Sequence, residues 1–180
     1  PCSPHPLGSM LLYNESVLMR ETLRKLEILS PTLLYNSKRV LIEEYIEGGN
    51  LYSLFEKEED TSLANKAGII TARLHNAELV FLDNKAENYL IDRQGKLIRT
   101  DLSFIMRENS VFSRSMDIAS FLASIMDLSS SRYHTIHNTF VKAYVSETGR
   151  SCPYLYIILR NIMALALTSN RVNTFVNLLK

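Results

Sequence analysis

The stretch FLDNKAENYLIDRQGKLIRTD, residues 81–101, restricts the possible folds of this chain more than any other. Two short apolar segments, NYLI and KLIRT, are joined by Asp92-Arg93-Gln94-Gly95, a run of turn-forming residues. Pairing residues 89–91 with 96–99 makes a hairpin that returns Asp101 to the neighbourhood of Asn88, with Asp83 and Lys85 on the loop just before. Two readings of these four polar residues follow. In the plainer one, Asp83 and Asn88 close a turn through their own backbone. In the other, an amide oxygen and a carboxylate side by side form a hard ligand pair suited to Mg²⁺. A second carboxylate can then orient or deprotonate a hydroxyl, and a lysine beside it can neutralise a phosphoryl oxygen. Phosphoryl transfer uses these parts, because its catalysis is mostly positioning and charge compensation.

The rest of the chain surrounds that hairpin with helices. Residues 15–29 carry apolar positions 17, 18, 19, 23, 26, 28 and 29 among charges, which predicts an amphipathic helix capped by Asn14 or Ser16 and stopped before Ser30-Pro31. TLLYN and RVLIEEYI predict a second hairpin turning at Asn36 to Lys38. Glu47-Gly48-Gly49-Asn50 reads as a flexible break between lobes. LYSLFEK predicts a short helix and Ser62 to Asn76 a longer one. After Ser115 the pattern is helical throughout, with IILRNIMALAL read as a core helix. The predicted class is α+β: a small front part and a mainly helical back part.

A resemblance enters on these residues. Asp83-x-Lys85-x-x-Asn88 is similar to the D-x-K-x-x-N catalytic loop of protein kinases. NYLIDRQGKLIRTDLS resembles the N-I-L-L-D-x-x-G-x-x-K-L-x-D-F-G segment without a gap, and LIEEYIEGGNL resembles the last small-lobe strand and hinge. GIITARLH resembles the preceding helix in the form found in RIO kinases, the small kinase of the KEOPS complex and aminoglycoside-type phosphotransferases. Asp117 in SMDIASFL resembles an aspartate that braces the catalytic loop, and FVKAYVSETG resembles a helix of the KEOPS kinase and of small-molecule phosphotransferases.

The resemblance implies a protein-kinase-like fold of the atypical, compact type, covering roughly residues 14–150. Its implied activity is ATP- and Mg²⁺-dependent phosphoryl transfer. Asp83 and Lys85 would be catalytic, Asn88 and Asp101 would hold Mg²⁺, and Glu44, Tyr45 and Ile46 would meet the nucleotide at the hinge. The sequence departs from the pattern at Phe81-Leu82, before the catalytic aspartate, and at Leu102-Ser103 within D-F-G. No glycine-rich loop and no strand with the ATP-binding lysine are recognised. Lys38 is a poor substitute, and Glu15 or Glu21, candidates for the lysine's helix partner, have no evident lysine to pair with. The expected division is residues 1–9 as expression-vector remnant, 10–46 as a partial N-lobe of one helix and two strands, and 47–180 as the C-lobe. Two alternatives accompany this reading: a pseudokinase serving as a binding or scaffold subunit, and a small-molecule phosphotransferase. Expected partners are a nucleotide and a protein substrate or complex partner, with a KEOPS-like complex as one form.

Composition narrows the remaining classes. The formal net charge of +1 over 180 residues gives no nucleic-acid footprint. No apolar run reaches the roughly 18 residues needed for a span, so no membrane partner is expected. Two cysteines, Cys2 and Cys152, are too few for a disulfide framework, which favours the cytoplasm. His75 reads as a packing and hydrogen-bonding residue, and His134 with His137 lack a third ligand for a metal.

Overall fold

A computed structural model of the chain describes residues 8–37, 40–57 and 61–179. Lys38 and residues 58–60, the end of the acidic run that begins at Glu56, lie outside the described residues. In chain order the elements are α1 Gly8–Lys25, β1 Leu33–Asn36, β2 Leu41–Glu43, α2 Leu51–Lys57, α3 Ser62–Asn76 and β3 Leu79–Val80. A 3₁₀ turn at Ala86–Asn88 follows, then β4 Tyr89–Ile91, β5 Leu97–Arg99, β6 Met106–Arg107, α4 Val111–Ser124, α5 Ser130–Thr148, α6 Tyr156–Leu167 and α7 Arg171–Leu178. The strands form three two-stranded antiparallel sheets: β1 with β2, β3 with β6, and β4 with β5. The class is α+β, as the sequence pattern predicts.

α1 differs from its expected bounds at both ends. It already includes Gly8 and Ser9, so Asn14 and Ser16 lie within the helix and do not cap it. It stops at Lys25 rather than near Leu29. Glu27 takes the left-handed conformation, with φ 57°. The Ile28 amide then donates to the Leu23 carbonyl at 2.9 Å, and the Glu27 amide donates to the Arg24 carbonyl at 3.1 Å. This is a Schellman stop, with buried Leu23 and Ile28 supplying its hydrophobic contact. A glycine at position 27 would have signalled it. The freed segment runs alongside β5, where the Arg99 amide donates to the Leu29 carbonyl at 2.8 Å.

The core lies between the helices of the back part. α3 packs on α5 and α4 packs on α6. Gly68 permits the first contact, because a Cβ there would lie 2.5 Å from the Phe140 carbonyl oxygen. Phe121 and Phe140 stack in the centre with ring centroids 4.3 Å apart. α6, expected as a core helix, buries only one side: Tyr156 and Ala164 face the core while Ile158, Ile162 and Leu165 are exposed.

The Glu47–Asn50 segment, expected as a flexible break, is fastened to β4. The Ile91 amide donates to the Gly49 carbonyl at 3.0 Å, and Asn50 forms a bridge with Leu90. A Cβ on Gly48 would sit 1.8 Å from the Ile91 carbonyl oxygen, so only glycine fits there. Asn50 also caps α2, its Oδ1 accepting from the Ser53 amide at 2.8 Å. Among the described residues, no helix is long and apolar enough to cross a membrane.

Candidate active site

The β4–β5 hairpin forms in the expected register, Tyr89 opposite Arg99 and Ile91 opposite Leu97. Its turn is closed by Asp92, whose Oδ1 accepts from the Gln94 and Lys96 amides at 2.8 Å each, with Gly95 at φ 74°. At the open end, the Thr100 amide and hydroxyl both donate to the Asn88 carbonyl, at 2.9 and 3.1 Å. Asp101 is therefore one residue beyond a direct pairing with Asn88.

Asp83, Lys85 and Asn88 meet on the loop before β4. Lys85 Nζ is 2.7 Å from Asp83 Oδ1. Asn88 Nδ2 donates to the Asp83 carbonyl at 2.9 Å and to Asp83 Oδ2 at 3.2 Å. The Asp83 carboxylate is thus held from both sides while remaining partly open to solvent. The Asn88 amide nitrogen is used in this way, and among the described residues its oxygen accepts no hydrogen bond. Asp101 is exposed and adopts φ 52°, and Leu82, just before Asp83, adopts φ 61°. A left-handed conformation costs a residue other than glycine about 1–2 kcal/mol. Two such positions, one before β4 and one after β5, mark a geometry imposed by the surroundings.

Asp117 on α4 imposes much of it. Fully buried, it accepts from the Phe81 amide through Oδ2 and from the Leu82 amide through Oδ1, both at 2.6 Å. His75 Nε2 lies 3.1 Å from Oδ2, and His75 Nδ1 lies 2.9 Å from the Tyr144 hydroxyl. His75 therefore has the hydrogen-bonding role read from the sequence, and Asp117 braces the loop. Asn84 continues the brace. Its Nδ2 donates to Thr71 Oγ1 at 3.1 Å and to the Asp117 carbonyl at 3.2 Å, and its Oδ1 accepts from the Tyr89 hydroxyl at 2.6 Å. The Ala86 amide donates to Ser124 Oγ at 3.0 Å.

Sequence reasoning missed Arg99. It is fully buried, its guanidinium lying 4.5 Å from the Phe81 ring centre and 5.2 Å from that of Tyr89. It donates to the Asp83 carbonyl at 2.9 Å, to the Asn88 carbonyl at 3.0 Å and to the Thr100 carbonyl. One side chain thus ties the two ends of the loop to the hairpin. Burial lowers its pKa from the ordinary value, with nearby Tyr89, Asp101, Asp117 and Asp83 acting the other way. The only signal in the sequence was a cation inside an apolar strand two residues before Asp101. Phe81, a departure from the kinase pattern, is one of the two rings that cover this cation.

The expected nucleotide-contacting residues stand apart. Among the described residues, no hydrogen bond joins Glu44, Tyr45 or Ile46 to the Asp83 loop. They connect to it through Gly48–Asn50 and through the Arg93–Glu47 ion pair. The Glu44 amide donates to the Thr32 carbonyl at 2.8 Å, and its carboxylate accepts from the Thr32 amide at 2.9 Å, which lowers its pKa. Tyr45 is 86% exposed and Ile46 is buried. On α1, Arg20 pairs with Glu43 and donates to the Pro31 carbonyl, while Glu21 is exposed.

Amide and carboxylate oxygens are the donor types that a hard divalent cation takes. Among the described residues there is no group of three His, Cys, Asp or Glu able to hold a metal. The set offered is the Asn88 amide oxygen with the Asp101 carboxylate, and Mg²⁺ commonly takes one or two carboxylates with substrate phosphates completing its shell. His134 and His137 form no such site. His137 is taken up by Asn138, with Nδ1 3.2 Å from Oδ1, and by the Tyr156 hydroxyl at 3.4 Å from Nε2, and burial lowers its pKa. Burial also pushes the Cys152 thiol up to about 11, consistent with an unreactive side chain.

Comparison with known proteins points the same way. No protein-family model matches the chain. Over 70 residues, 36% of the chain, it is 39% identical to the putative serine/threonine-protein kinase PRKY of Homo sapiens, covering 25% of that protein. It is also 39% identical over 70 residues to the human cAMP-dependent protein kinase catalytic subunit PRKX, covering 20% of it. The cAMP-dependent protein kinase catalytic subunit of Arthrobotrys oligospora is 33% identical over 70 residues, 14% of its length. The chain is related to protein kinases. It spans a quarter or less of the length of these curated relatives.

Proposed function

We propose that the chain carries the phosphate- and metal-handling part of a phosphotransferase of the protein-kinase kind, using ATP and Mg²⁺, and that its architecture is the atypical, compact one of the RIO, KEOPS-kinase and aminoglycoside phosphotransferase group. The observation that carries this reading is the cluster of Asp83, Lys85 and Asn88, fastened by Asp117 and Arg99, with Asp101 following the Thr100 that bonds the Asn88 carbonyl. Asp83 orients the acceptor hydroxyl and takes its proton. Lys85, already paired with Asp83, is placed to offset charge on the transferred phosphoryl group. Asn88 and Asp101 hold the cation, which supplies neutralisation of the phosphate oxygens when bound. At the hinge the Glu44 amide is taken by Thr32, which leaves the Glu44 carbonyl and the Tyr45 and Ile46 amides for the adenine edge.

A second reading, a binding or scaffold subunit without turnover, rests on one observation: Lys85 and Asn88 already satisfy the Asp83 carboxylate. Nucleotide titration and transfer assays separate the two. The first reading expects Mg²⁺-dependent ATP binding that Asp101→Asn weakens at least tenfold. It also expects phosphate transfer or release that Asp83→Asn lowers at least a hundredfold, on the order of general-base loss. ATP binding without Mg²⁺ dependence, or turnover that Asp83→Asn leaves unchanged, refutes it.

A further inference from the structure

A cavity of about 220 Å³ opens to solvent where the chain leaving α1 passes α3 and the start of β5. Its α3 wall is Lys66, Ile69, Ile70 and Arg73, whose i, i+3, i+4, i+7 spacing sets them on one stripe of the helix. Glu27 and Leu29 line it from the α1 side, and Lys96 and Leu97 from the hairpin. Of the apolar lining, Ile70 and Leu97 are buried, Ile69 is half-buried and Leu29 is 48% exposed. The charged groups around it are unequally satisfied. Arg73 Nη1 donates to Glu27 Oε2 at 2.8 Å and to the Leu26 carbonyl at 3.3 Å, and its Nε donates to Glu147 Oε1 at 3.1 Å. Glu27 and Arg73 therefore neutralise each other. Lys66 and Lys96 are exposed, and among the described residues neither pairs with a carboxylate. Lys66 Nζ reaches only the Gly95 carbonyl, at 3.5 Å. By contrast Arg93, on the same turn as Lys96, pairs with Glu47.

Two unpaired ammonium groups thus stand beside an apolar cavity whose one carboxylate is already paired. Charge complementarity calls for carboxylates on the occupant, and the lining calls for an apolar group between them. The volume lies below the roughly 300–1,000 Å³ usual for small-molecule sites, and it suits one side chain rather than a whole ligand. A free inorganic anion would leave the apolar lining facing water. A nucleic acid would bring a row of phosphates to two lysines, on a chain whose net charge is only +1. An acidic peptide with one aliphatic side chain meets both requirements: the side chain enters the cavity and the flanking carboxylates pair with Lys66 and Lys96.

We propose that this cavity between α3, β5 and the segment after α1 is a docking site for an acidic peptide segment of a partner protein, anchored by one aliphatic side chain. Leu29, Ile69, Ile70 and Leu97 receive the anchor, and Lys66 and Lys96 hold the carboxylates on either side of it. The site stands independently of the phosphotransferase reading.

The test is a titration of the ¹⁵N-labelled full chain with the peptide acetyl-Glu-Asp-Leu-Glu-Asp-amide, followed by amide chemical shifts. Shifts are expected at Leu29, Ile69, Ile70, Lys96 and Leu97, with a Kd of about 1 mM, the strength of one anchor side chain with exposed ion pairs. The neutral counterpart Gln-Asn-Leu-Gln-Asn is expected to bind about fivefold more weakly, and glycine in place of the peptide's leucine to weaken binding about tenfold. Added salt is expected to weaken the acidic peptide and not the neutral one. The double substitution Lys66→Glu with Lys96→Glu, at two exposed positions, is expected to weaken binding about tenfold while the unfolding midpoint stays that of the wild type. The proposal is overturned if no shifts appear by about 10 mM peptide, or if they map away from the cavity. It is also overturned if the neutral peptide binds as well, or if the folded double variant binds like the wild type. Sodium acetate giving the same shifts at the same strength assigns the cavity to a free anion. A uridine oligonucleotide that binds there more tightly than the peptide assigns it to nucleic acid. Either result also overturns the peptide proposal.

Discussion

The two hairpins are built from strands of three or four residues and live in opposite surroundings. In β4–β5, Leu97, Ile98 and Arg99 are all buried, and the hairpin is tied outward to Leu29, Gly49 and the Asp83 loop. In β1–β2, Leu34, Tyr35, Leu41 and Ile42 are all exposed. A two-stranded ladder is marginal in water by itself, so the ladder is not what makes the first hairpin rigid. Packing and side-chain bonds from outside the ladder do that. The difference falls along the functional divide: the buried hairpin is flanked at its open end by the proposed phosphate and metal residues, and the exposed one leads into the proposed hinge.

The strongest way to break the contrast is Arg99→Leu. The substitution removes the only polar side chain of β5 and leaves the Asp83, Asn88 and Thr100 carbonyls without this donor. The Asp83 and Asn88 carbonyls keep the donors from Asn88 Nδ2 and Thr100, whereas orphaning the Thr100 carbonyl costs about 1–3 kcal/mol. The packing of the guanidinium on Phe81 and Tyr89 is lost as well, and relief of the buried cation offsets part of the total. A net loss of about 3 kcal/mol is expected in urea unfolding. A loss below about 1 kcal/mol would show that the other donors to the Asp83 and Asn88 carbonyls hold the loop and that Arg99 is not the tie.

Much of this half of the molecule was legible beforehand, for local reasons. The Asp92-Arg93-Gln94-Gly95 turn sets the β4–β5 register through contacts within five residues. The bounds of α3 follow from its apolar spacing. Asp83, Lys85 and Asn88 come together because the 3₁₀ turn at Ala86–Asn88 folds six residues onto themselves. What was not legible depends on distant partners. β3 and β6 are two residues each and lie 26 positions apart, too short for any pattern. Arg99 in an apolar strand has no local mark of burial, since the rings of Phe81 and Tyr89 that cover it are set by tertiary packing. α6 is apolar over most of its length, which reads as core, yet among the described residues neighbours cover one side only. Glu27 ends α1 where glycine would have announced the stop.

A smaller effect is expected where the two hairpins are joined. Gly48→Ala forces a methyl group toward the Ile91 carbonyl oxygen, at 1.8 Å in the unrelaxed geometry. Backbone has to move, and overpacking of this kind costs about 1–3 kcal/mol. The displaced segment includes the Gly49 carbonyl that accepts from Ile91. Thermal unfolding measures the cost, and hydrogen exchange at the Ile91 amide reports whether the joint has opened. Unchanged protection at Ile91 would mean that the segment between the hairpins absorbs the methyl elsewhere.

The smallest effect is expected on β1. Leu34 is 64% exposed, so Leu34→Ala removes side-chain carbons that are mostly in water in the folded state. Surface truncations of this kind usually stay within about 0.5 kcal/mol, whereas Leu→Ala at a buried position costs about 2–5 kcal/mol. Denaturant unfolding of Leu34→Ala is therefore expected to overlay that of the wild type. A loss above about 1.5 kcal/mol would mean that Leu34 is covered in solution by something that binds this hairpin. The contrast between the hairpins would then reflect a missing partner rather than two kinds of construction, and a dependence of the midpoint on protein concentration would separate self-association from an intrachain contact.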